Sequence, residues 1–334
     1  MAKKQHPIRT TDIVERARLE VSFEKPHLLG ALFGQYDQNL VAIENRLGVY
    51  IAARGNKLQI EGEADAAARA RDVLTGLYNR IVQGQEIDAG AVEALITMSS
   101  EPTLDGIIHH DVSAAPTVMI RTRKKTIVPR SATQVTYMEE LARQDVIFAL
   151  GPAGTGKTYL AVAQAVSQLI TGSVDRLILS RPAVEAGERL GFLPGDMKEK
   201  VDPYLRPLYD ALYDTLPAEQ VERRIASGEI EIAPLAFMRG RTLANAFIIL
   251  DEAQNTTIAQ MKMFLTRFGE GSRMVICGDP KQVDLPQPGA SGLADAVARL
   301  EGVQGIAVVP FGIADVVRHP IVGRIVQAYE GPDA

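Results

Sequence analysis

The spacing of apolar and polar residues changes character along the chain. Between about residues 131 and 330, apolar runs of strand length alternate with helical stretches: Val146-Ile-Phe-Ala-Leu150, Leu177-Ile-Leu, Ala246-Phe-Ile-Ile-Leu250, Met274-Val-Ile-Cys277 and Ile306-Ala-Val-Val309. A run that is apolar at consecutive positions must be buried on both faces, so the pattern predicts a parallel sheet covered by helices on either side. Residues 19–83 have a shorter rhythm. They read as a strand (Leu19–Phe23), a helix entered at Leu28, a turn at 34–37 and a helix from Asn39 to Leu47. Two alternating strands follow, Val49–Ala53 and Lys57–Glu61, joined by the hairpin turn Arg54-Gly-Asn, and the Ala-rich run Ala64–Leu77 closes the unit as a third helix.

This order resembles a KH domain, in which a G-x-x-G loop between two helices clamps the backbone of single-stranded nucleic acid. The corresponding loop here is Gly34-Gln-Tyr-Asp37. Asp37 stands where a second Gly would let the backbone approach closely, and it adds a negative charge facing phosphate. Residues 84–130 carry turn signals and then a basic run, Arg121-Thr-Arg-Lys-Lys125, with Arg130 beyond it. They read as a connector that becomes an ordered arm. Two readings of the arm stay open: a strip that tracks a phosphate backbone, or a solvated strand in which Val118 and Ile120 alternate with charges.

Composition narrows the classes. The 334 residues are 46% hydrophobic and 23% charged, with a net charge of −5, which is ordinary for a globular protein and excludes a uniformly basic coat for nucleic acid. The longest apolar stretches are strand-sized, and the amino terminus lacks the apolar core of a signal peptide, so the expectation is a cytoplasmic protein without membrane contact. Cys277 is the sole cysteine, which rules out an intrachain disulfide and a Cys-based zinc cluster. Its place in an apolar run marks it as core filling.

The chemistry is concentrated in three strand ends. After the first core run comes Gly151-Pro-Ala-Gly-Thr-Gly-Lys157-Thr158, the spacing G-x-x-x-x-G-K-[ST]. With glycine near 7% of residues, these fixed positions arise by chance in roughly one chain of this length in a hundred. A strand-to-helix turn of this kind presents backbone N–H groups and a helix N-terminus to phosphates. The expected nucleotide contacts are therefore Gly151, Pro152, Ala153, Gly154, Thr155, Gly156, Lys157 and Thr158, with Lys157 on the β- and γ-phosphates and Thr158 on Mg²⁺. A second run ends in Asp251-Glu252-Ala-Gln254, which places Asp251 to hold Mg²⁺ and Glu252 to orient or deprotonate the attacking water. The third leads into Gly278-Asp-Pro-Lys-Gln282. Gly-Asp-Pro-Lys is good turn chemistry by itself; beside the other two motifs, Gln282 is expected to sense the γ-phosphate. ATP and Mg²⁺ are the expected cofactors.

The order of these motifs, with Leu177-Ile-Leu-Ser-Arg181-Pro182 between the first two, resembles the first motor domain of superfamily 1 helicases, where Gln134 would be placed to read adenine. Further stretches narrow the resemblance: Arg181–Gly195, Lys200–Asp210, Ile230-Glu-Ile-Ala-Pro-Leu-Ala-Phe-Met-Arg239-Gly-Arg241-Thr, and Asp315-Val-Val-Arg318-His-Pro. Together they resemble the PhoH family in its long form with an amino-terminal KH-like unit. The fold class so implied is α/β, a single RecA-like P-loop NTPase core preceded by a small KH-like α/β domain. Its divisions are a tail at 1–18, the KH-like domain at 19–83, the connector at 84–130, the core at 131–330 and a tail at 331–334.

The resemblance implies a cytoplasmic, Mg²⁺-dependent ATPase in RNA metabolism, remodelling single-stranded RNA or acting as a helicase, with an endoribonuclease of the YbeY type as partner in ribosomal RNA maturation. The alternative is an ATP-gated module that recruits a nuclease or ribosome factor without being a motor. Superfamily 1 helicases draw arginines from a second RecA domain, and this chain has room for one. A homo-oligomer, such as a hexameric ring, is therefore expected to supply an arginine finger in trans. Arg318 is the first candidate, with Arg239 and Arg241 beside it. The stretch Asp202-Pro-Tyr-Leu-Arg206-Pro-Leu-Tyr209 is open to two readings, base stacking or packing between core helices.

Overall fold

The computed structural model describes residues 16–85, 87–100, 118–182, 197–285 and 291–316, and for residues 100 and 197–204 the backbone alone. The chain forms two compact units that divide between Thr117 and Val118.

The amino-terminal unit is built in the order β1 (Arg16–Ser22), α1 (Leu29–Phe33), α2 (Gln38–Leu47), β2 (Tyr50–Arg54), β3 (Lys57–Glu63), α3 (Ala64–Val82) and α4 (Ala89–Ser100). The strands form an antiparallel sheet in the order β1-β3-β2, with Leu19 opposite Ile60 and Ile51 opposite Ile60 on the other side. Alternation sends Leu58 and Ile60 into the core, while Arg18, Glu20, Lys57 and Glu61 stay exposed and pair across strands as Arg18–Glu61 and Lys57–Glu20. This is the KH-like arrangement that the sequence predicts. Two differences are found. The first strand begins at Arg16 rather than Leu19. The stretch expected to open a connector at residue 84 instead forms α4, whose Val92, Leu95 and Ile96 are buried in the same core as Val73, Leu74 and Leu77 of α3. Its residues are apolar nearly all round, so periodicity gave no helical face to read.

Between α1 and α2 the chain turns through Gly34-Gln-Tyr-Asp37. Tyr36 and Asp37 both adopt left-handed backbone, at φ 51° and 58°. An Asp tolerates that conformation better than most side chains, so Asp37 takes the backbone role expected of a Gly. Tyr36 is 99% exposed.

The second unit opens with a short hairpin, β4 (Ile120–Arg121) and β5 (Thr126–Ile127), and then alternates α5 (Ala132–Arg143), β6 (Val146–Leu150), α6 (Lys157–Thr171), β7 (Arg176–Arg181), α7 (Met197–Thr215), α8 (Ala218–Ala226), β8 (Ile230–Pro234), β9 (Ala246–Leu250), α9 (Ile258–Leu265), β10 (Arg273–Gly278), α10 (Gly292–Leu300) and β11 (Ile306–Pro310). Six strands, β6 to β11, make one parallel sheet in the order β11-β6-β10-β9-β7-β8. Consecutive residues of each strand serve opposite cores. Ile147, Leu177, Leu179, Phe247, Ile249 and Val275 pack with α5, α6 and α7, whereas Phe148, Ile178, Ile248, Leu250 and Ile276 pack with α9 and α10. This double burial is why the strands read as continuous apolar runs. Among the described residues no helix is long and apolar enough to cross a membrane.

The basic arm is docked on its own unit. Lys125 pairs with Asp214 near the end of α7 and its ammonium lies 5.7 Å from the Tyr159 ring centre, and Lys124 donates to the Tyr213 carbonyl at 2.8 Å. Burial by itself would raise the Asp214 carboxyl, and the bonds from Lys125 and Tyr159 more than offset that and hold it low. Two of the arm's charges are thus spent on α7, while Arg121 and Arg123 are exposed. The stretch open to base stacking lies inside α7. There Leu205 and Leu208 are buried and Tyr209 packs against the same core, while Arg206 is exposed and the side chains of residues 202–204 lie outside the described residues.

Because Leu95 is fully buried, Leu95→Ala should destabilise the amino-terminal unit by about 2 to 5 kcal/mol. Hydrogen exchange of α3 in the full chain measures this, and unchanged protection would show that α4 is not part of the core.

Candidate active site

Parallel pairing brings the carboxyl ends of β6, β7, β9 and β10 to one edge, and the three motifs meet there. The loop after β6 is closed by Gly151 N–H donating to the Gly278 carbonyl at 3.0 Å. A side chain at Gly151 would stand 2.3 Å from the Phe311 carbonyl oxygen, and its φ of 136° is one that L residues rarely adopt. Gly156, at φ 85°, has the Gln134 amide 3.0 Å from where a Cβ would be. Gln134 is buried at the start of α5, where its carbonyl oxygen accepts from Arg130 N–H at 2.7 Å and its amide donates to the Thr155 carbonyl at 3.0 Å. It fastens the loop to the segment ahead of α5, a role that its sequence position did not suggest. Tyr137, one turn further on, donates its hydroxyl to the Lys157 carbonyl at 3.1 Å. Burial keeps that phenol protonated, well above its ordinary range.

Lys157 is the first residue of α6. Its ammonium donates to the Gly151 and Pro152 carbonyls at 2.6 and 2.7 Å, so the loop wraps the cation. Burial lowers its pKa. The next side chain, Thr158, donates to Asp251 Oδ1 at 2.6 Å across 93 positions of sequence. Asp251 follows the wholly buried β9, and burial raises its carboxyl despite the Thr158 bond. Thr158 and Asp251 together offer hard oxygens, the donor type that Mg²⁺ takes. Among the described residues no group of three His, Cys, Asp or Glu could cage a metal, so a cation here would complete its shell with phosphate and water.

Glu252 takes left-handed backbone, φ 52°, which costs a non-Gly residue about 1 to 2 kcal/mol. The turn aims its carboxylate into the site. One oxygen meets the Arg181 guanidinium at 3.0 Å, and the other accepts from Gln254 at 2.6 Å. Gln254 is buried, and its own oxygen accepts from Asp279 N–H at 3.1 Å. Asp279 in turn accepts from the Gln282 amide at 2.8 Å, and Gln282 N–H closes the turn onto the Asp279 carbonyl. Gln282 therefore occupies the β-turn and also faces the site. Cys277 is buried beneath, its thiol pushed up to about 12 by burial, which leaves it inert core.

These groups line one cavity of about 570 Å³, bounded by Lys157, Thr158, Arg181, Asp251, Glu252 and Gln282 on one side and by Asp210 and Asp214 of α7 on the other. Sequence reasoning placed Lys157, Thr158, Asp251, Glu252 and Gln282 here. It missed Arg181 and Gln254, although both stand inside quoted motifs. Of the arginine candidates, Arg241 is closed in a two-bond pair with Glu231 at 2.6 and 2.7 Å, Arg239 is exposed and lines no part of this cavity, and Arg318 lies outside the described residues.

A family model described as PhoH-like protein matches residues 126–330. The chain belongs to the PhoH family. Among curated relatives, the PhoH-like protein of Bacillus subtilis is 48% identical over 300 residues, covering 90% of this chain and 93% of that protein. The PhoH-like protein of Mycobacterium tuberculosis (strain ATCC 25618 / H37Rv) is 47% identical over 322 residues, covering 96% and 89%. Protein PhoH of Escherichia coli K12 is 48% identical over 205 residues, covering 61% of this chain and 58% of its own. The first two alignments run through most of the chain, amino-terminal unit included, so the PhoH fold is found here with a preceding α/β unit.

Two outcomes check the site. Lys157→Ala should weaken binding of a fluorescent ATP analogue by about a hundredfold, and retained affinity would show the loop assignment to be wrong. Because burial raises the Asp251 carboxyl, the folded protein holds that proton more tightly than the unfolded chain does. Stability should then fall as pH rises from the unfolded value near 4 through the raised native one. In metal-free buffer Asp251→Asn should melt higher than wild type at pH 8 with a flatter pH dependence, and an equal melting curve would count against the buried charge.

Proposed function

We propose that this protein is an Mg²⁺-dependent ATPase whose turnover is coupled to single-stranded RNA. The observation that carries the ATPase reading is the contact between Thr158 and Asp251, with Glu252 one residue further into the same cavity. The loop after β6 and the first turn of α6 would bind the phosphates, and Lys157 would neutralise them. The bound cation, held by Thr158 and Asp251, would supply Lewis-acid stabilisation of phosphate charge. Glu252 takes the proton of a water whose oxygen bonds to the terminal phosphorus as the bond from that phosphorus to the β-phosphate oxygen breaks. The electron pair leaves with ADP. A carboxylate beside the metal ligand suits water, and this favours hydrolysis over transfer to a small molecule.

The RNA part rests on the amino-terminal unit. Its strand and helix order is that of a KH-like unit, and the loop between α1 and α2 spends backbone strain to hold Tyr36 clear of the protein, as a stacking platform requires. A homo-oligomer and an endoribonuclease partner of the YbeY type belong to this same reading, as does a cytoplasmic location.

Steady-state ATP hydrolysis of the full chain, with and without single-stranded RNA, tests it. RNA should raise the rate, and Glu252→Gln should keep ATP binding while losing about a hundredfold or more in turnover. Hydrolysis indifferent to every RNA would overturn the coupling and favour an ATP-gated module that recruits a nuclease. Normal turnover in Glu252→Gln would move the water-activating role elsewhere.

A further inference from the structure

We propose that the β4–β5 hairpin is a phosphate-backbone contact for single-stranded RNA, seated against the wall of the nucleotide cavity; this deepens the RNA-coupled reading above and rests on it. In a chain whose net charge is −5, four of the five residues from Arg121 to Lys125 are cationic. The fold leaves all four exposed. Ile120 stands opposite Ile127, and both are buried in the same core as α6, so the hairpin turns its apolar residues inward.

The tip that carries the cations is fixed by Thr122. Its N–H donates to the Lys125 carbonyl at 3.0 Å, its hydroxyl donates to the same carbonyl at 2.8 Å, and that hydroxyl accepts from Lys125 N–H at 3.2 Å. The backbone is therefore ordered before any ligand arrives, and a polyanion that binds has only side chains to order. The cations divide into two pairs. Lys124, on the Tyr213 carbonyl, and Lys125, on Asp214, fasten the hairpin to α7. Arg121 and Arg123 make no ion pair among the described residues, and a guanidinium fork fits two phosphate oxygens at once. With Ile120 and Ile127 buried, the hairpin shows solvent no apolar side chain of the kind that a membrane surface takes as a second anchor. What it offers is fixed positive charge, which suits a phosphate backbone.

The seat of the hairpin gives this contact a route to turnover. The Lys125 ammonium lies 5.7 Å from the Tyr159 ring centre, and Tyr159, which follows Thr158 on α6, donates its hydroxyl to Asp214 at 2.8 Å. Tyr159 and Asp214 both line the cavity. RNA on Arg121 and Arg123 is thus joined through a closed turn to residues of the nucleotide site.

The experiment is anisotropy of labelled oligouridine with the full chain, titrated over a range of salt, beside RNA-stimulated ATP hydrolysis. Each phosphate contact on a single strand contributes about 0.7 to the slope of log affinity against log salt. Replacing both arginines, Arg121→Ala with Arg123→Ala, should lower that slope by about 1.4 and weaken binding by about 25-fold at about 0.1 M salt. The loss should be equal for oligoadenylate, because phosphate contacts carry no sequence information. The RNA concentration that gives half-maximal stimulation should rise by the same factor. Arg121→Lys with Arg123→Lys should keep the slope, since the charges remain. Should the alanine pair fail to fold, Arg123→Gln alone decides, with an expected loss of about 0.7 in slope. Unchanged slope and affinity in these variants, where the wild-type chain binds RNA, would overturn the proposal and leave RNA binding to the amino-terminal unit. Binding to phosphatidylserine vesicles that the alanine pair abolishes while RNA binding is kept would overturn it in favour of a membrane surface. A wild-type chain that binds no RNA would instead sink the RNA-coupled reading, and the proposal with it.

Discussion

The core of this protein is organised by the burial of its parallel sheet on both faces. A strand covered by helices on either side can offer polar groups only where it ends, and parallel strands all end on one edge. Leu150, Arg181, Leu250 and Gly278 are each the last residue of their strands, and each is followed or occupied by chemistry. The phosphate loop, the Asp-Glu pair and the Gly-Asp-Pro-Lys-Gln turn meet because they follow the carboxyl ends of strands that run parallel in one sheet. The bond between Thr158 and Asp251 is the local expression of that constraint.

Gathering charges at the edge of a dry sheet has a cost, and the site meets it internally. Lys157 is wrapped by loop carbonyls, Asp251 by the Thr158 hydroxyl, and Glu252 by Arg181 and Gln254. Gln254 and Asp279 then tie the turn after β10 to the carboxylate after β9. A ligand that brings phosphate charge competes for several of these partners at once. Arg241, with two bonds to Glu231, is by contrast committed to the fold.

The amino-terminal unit and the arm show the same economy in a different form. Its sheet buries one face only, so its strands alternate and its exposed face carries cross-strand ion pairs. The arm looked unpartnered because its acidic counterpart, Asp214, is distant in sequence and lies on α7. Sequence-local charge counting could not see that pair.

What the sequence determined by itself was everything whose cause is local: the two-sided burial that makes continuous apolar strands, the βααββα rhythm, the glycines of the phosphate loop, and the identity of Lys157, Thr158, Asp251, Glu252 and Gln282 as site residues. These rest on periodicity, turn chemistry and fixed spacing, which act over a few neighbouring residues. Helix α4 escaped because its apolar residues surround the axis and only packing against α3 gives them a face. Arg181 and Gln254 escaped for a different reason. Their motifs were read, but their roles depend on which strand lies beside which, and the order β11-β6-β10-β9-β7-β8 is a tertiary fact that no local pattern encodes. Only the folded sheet sets the end of β7 against the end of β9, and so places the Arg181 guanidinium on the Glu252 carboxylate at the cavity.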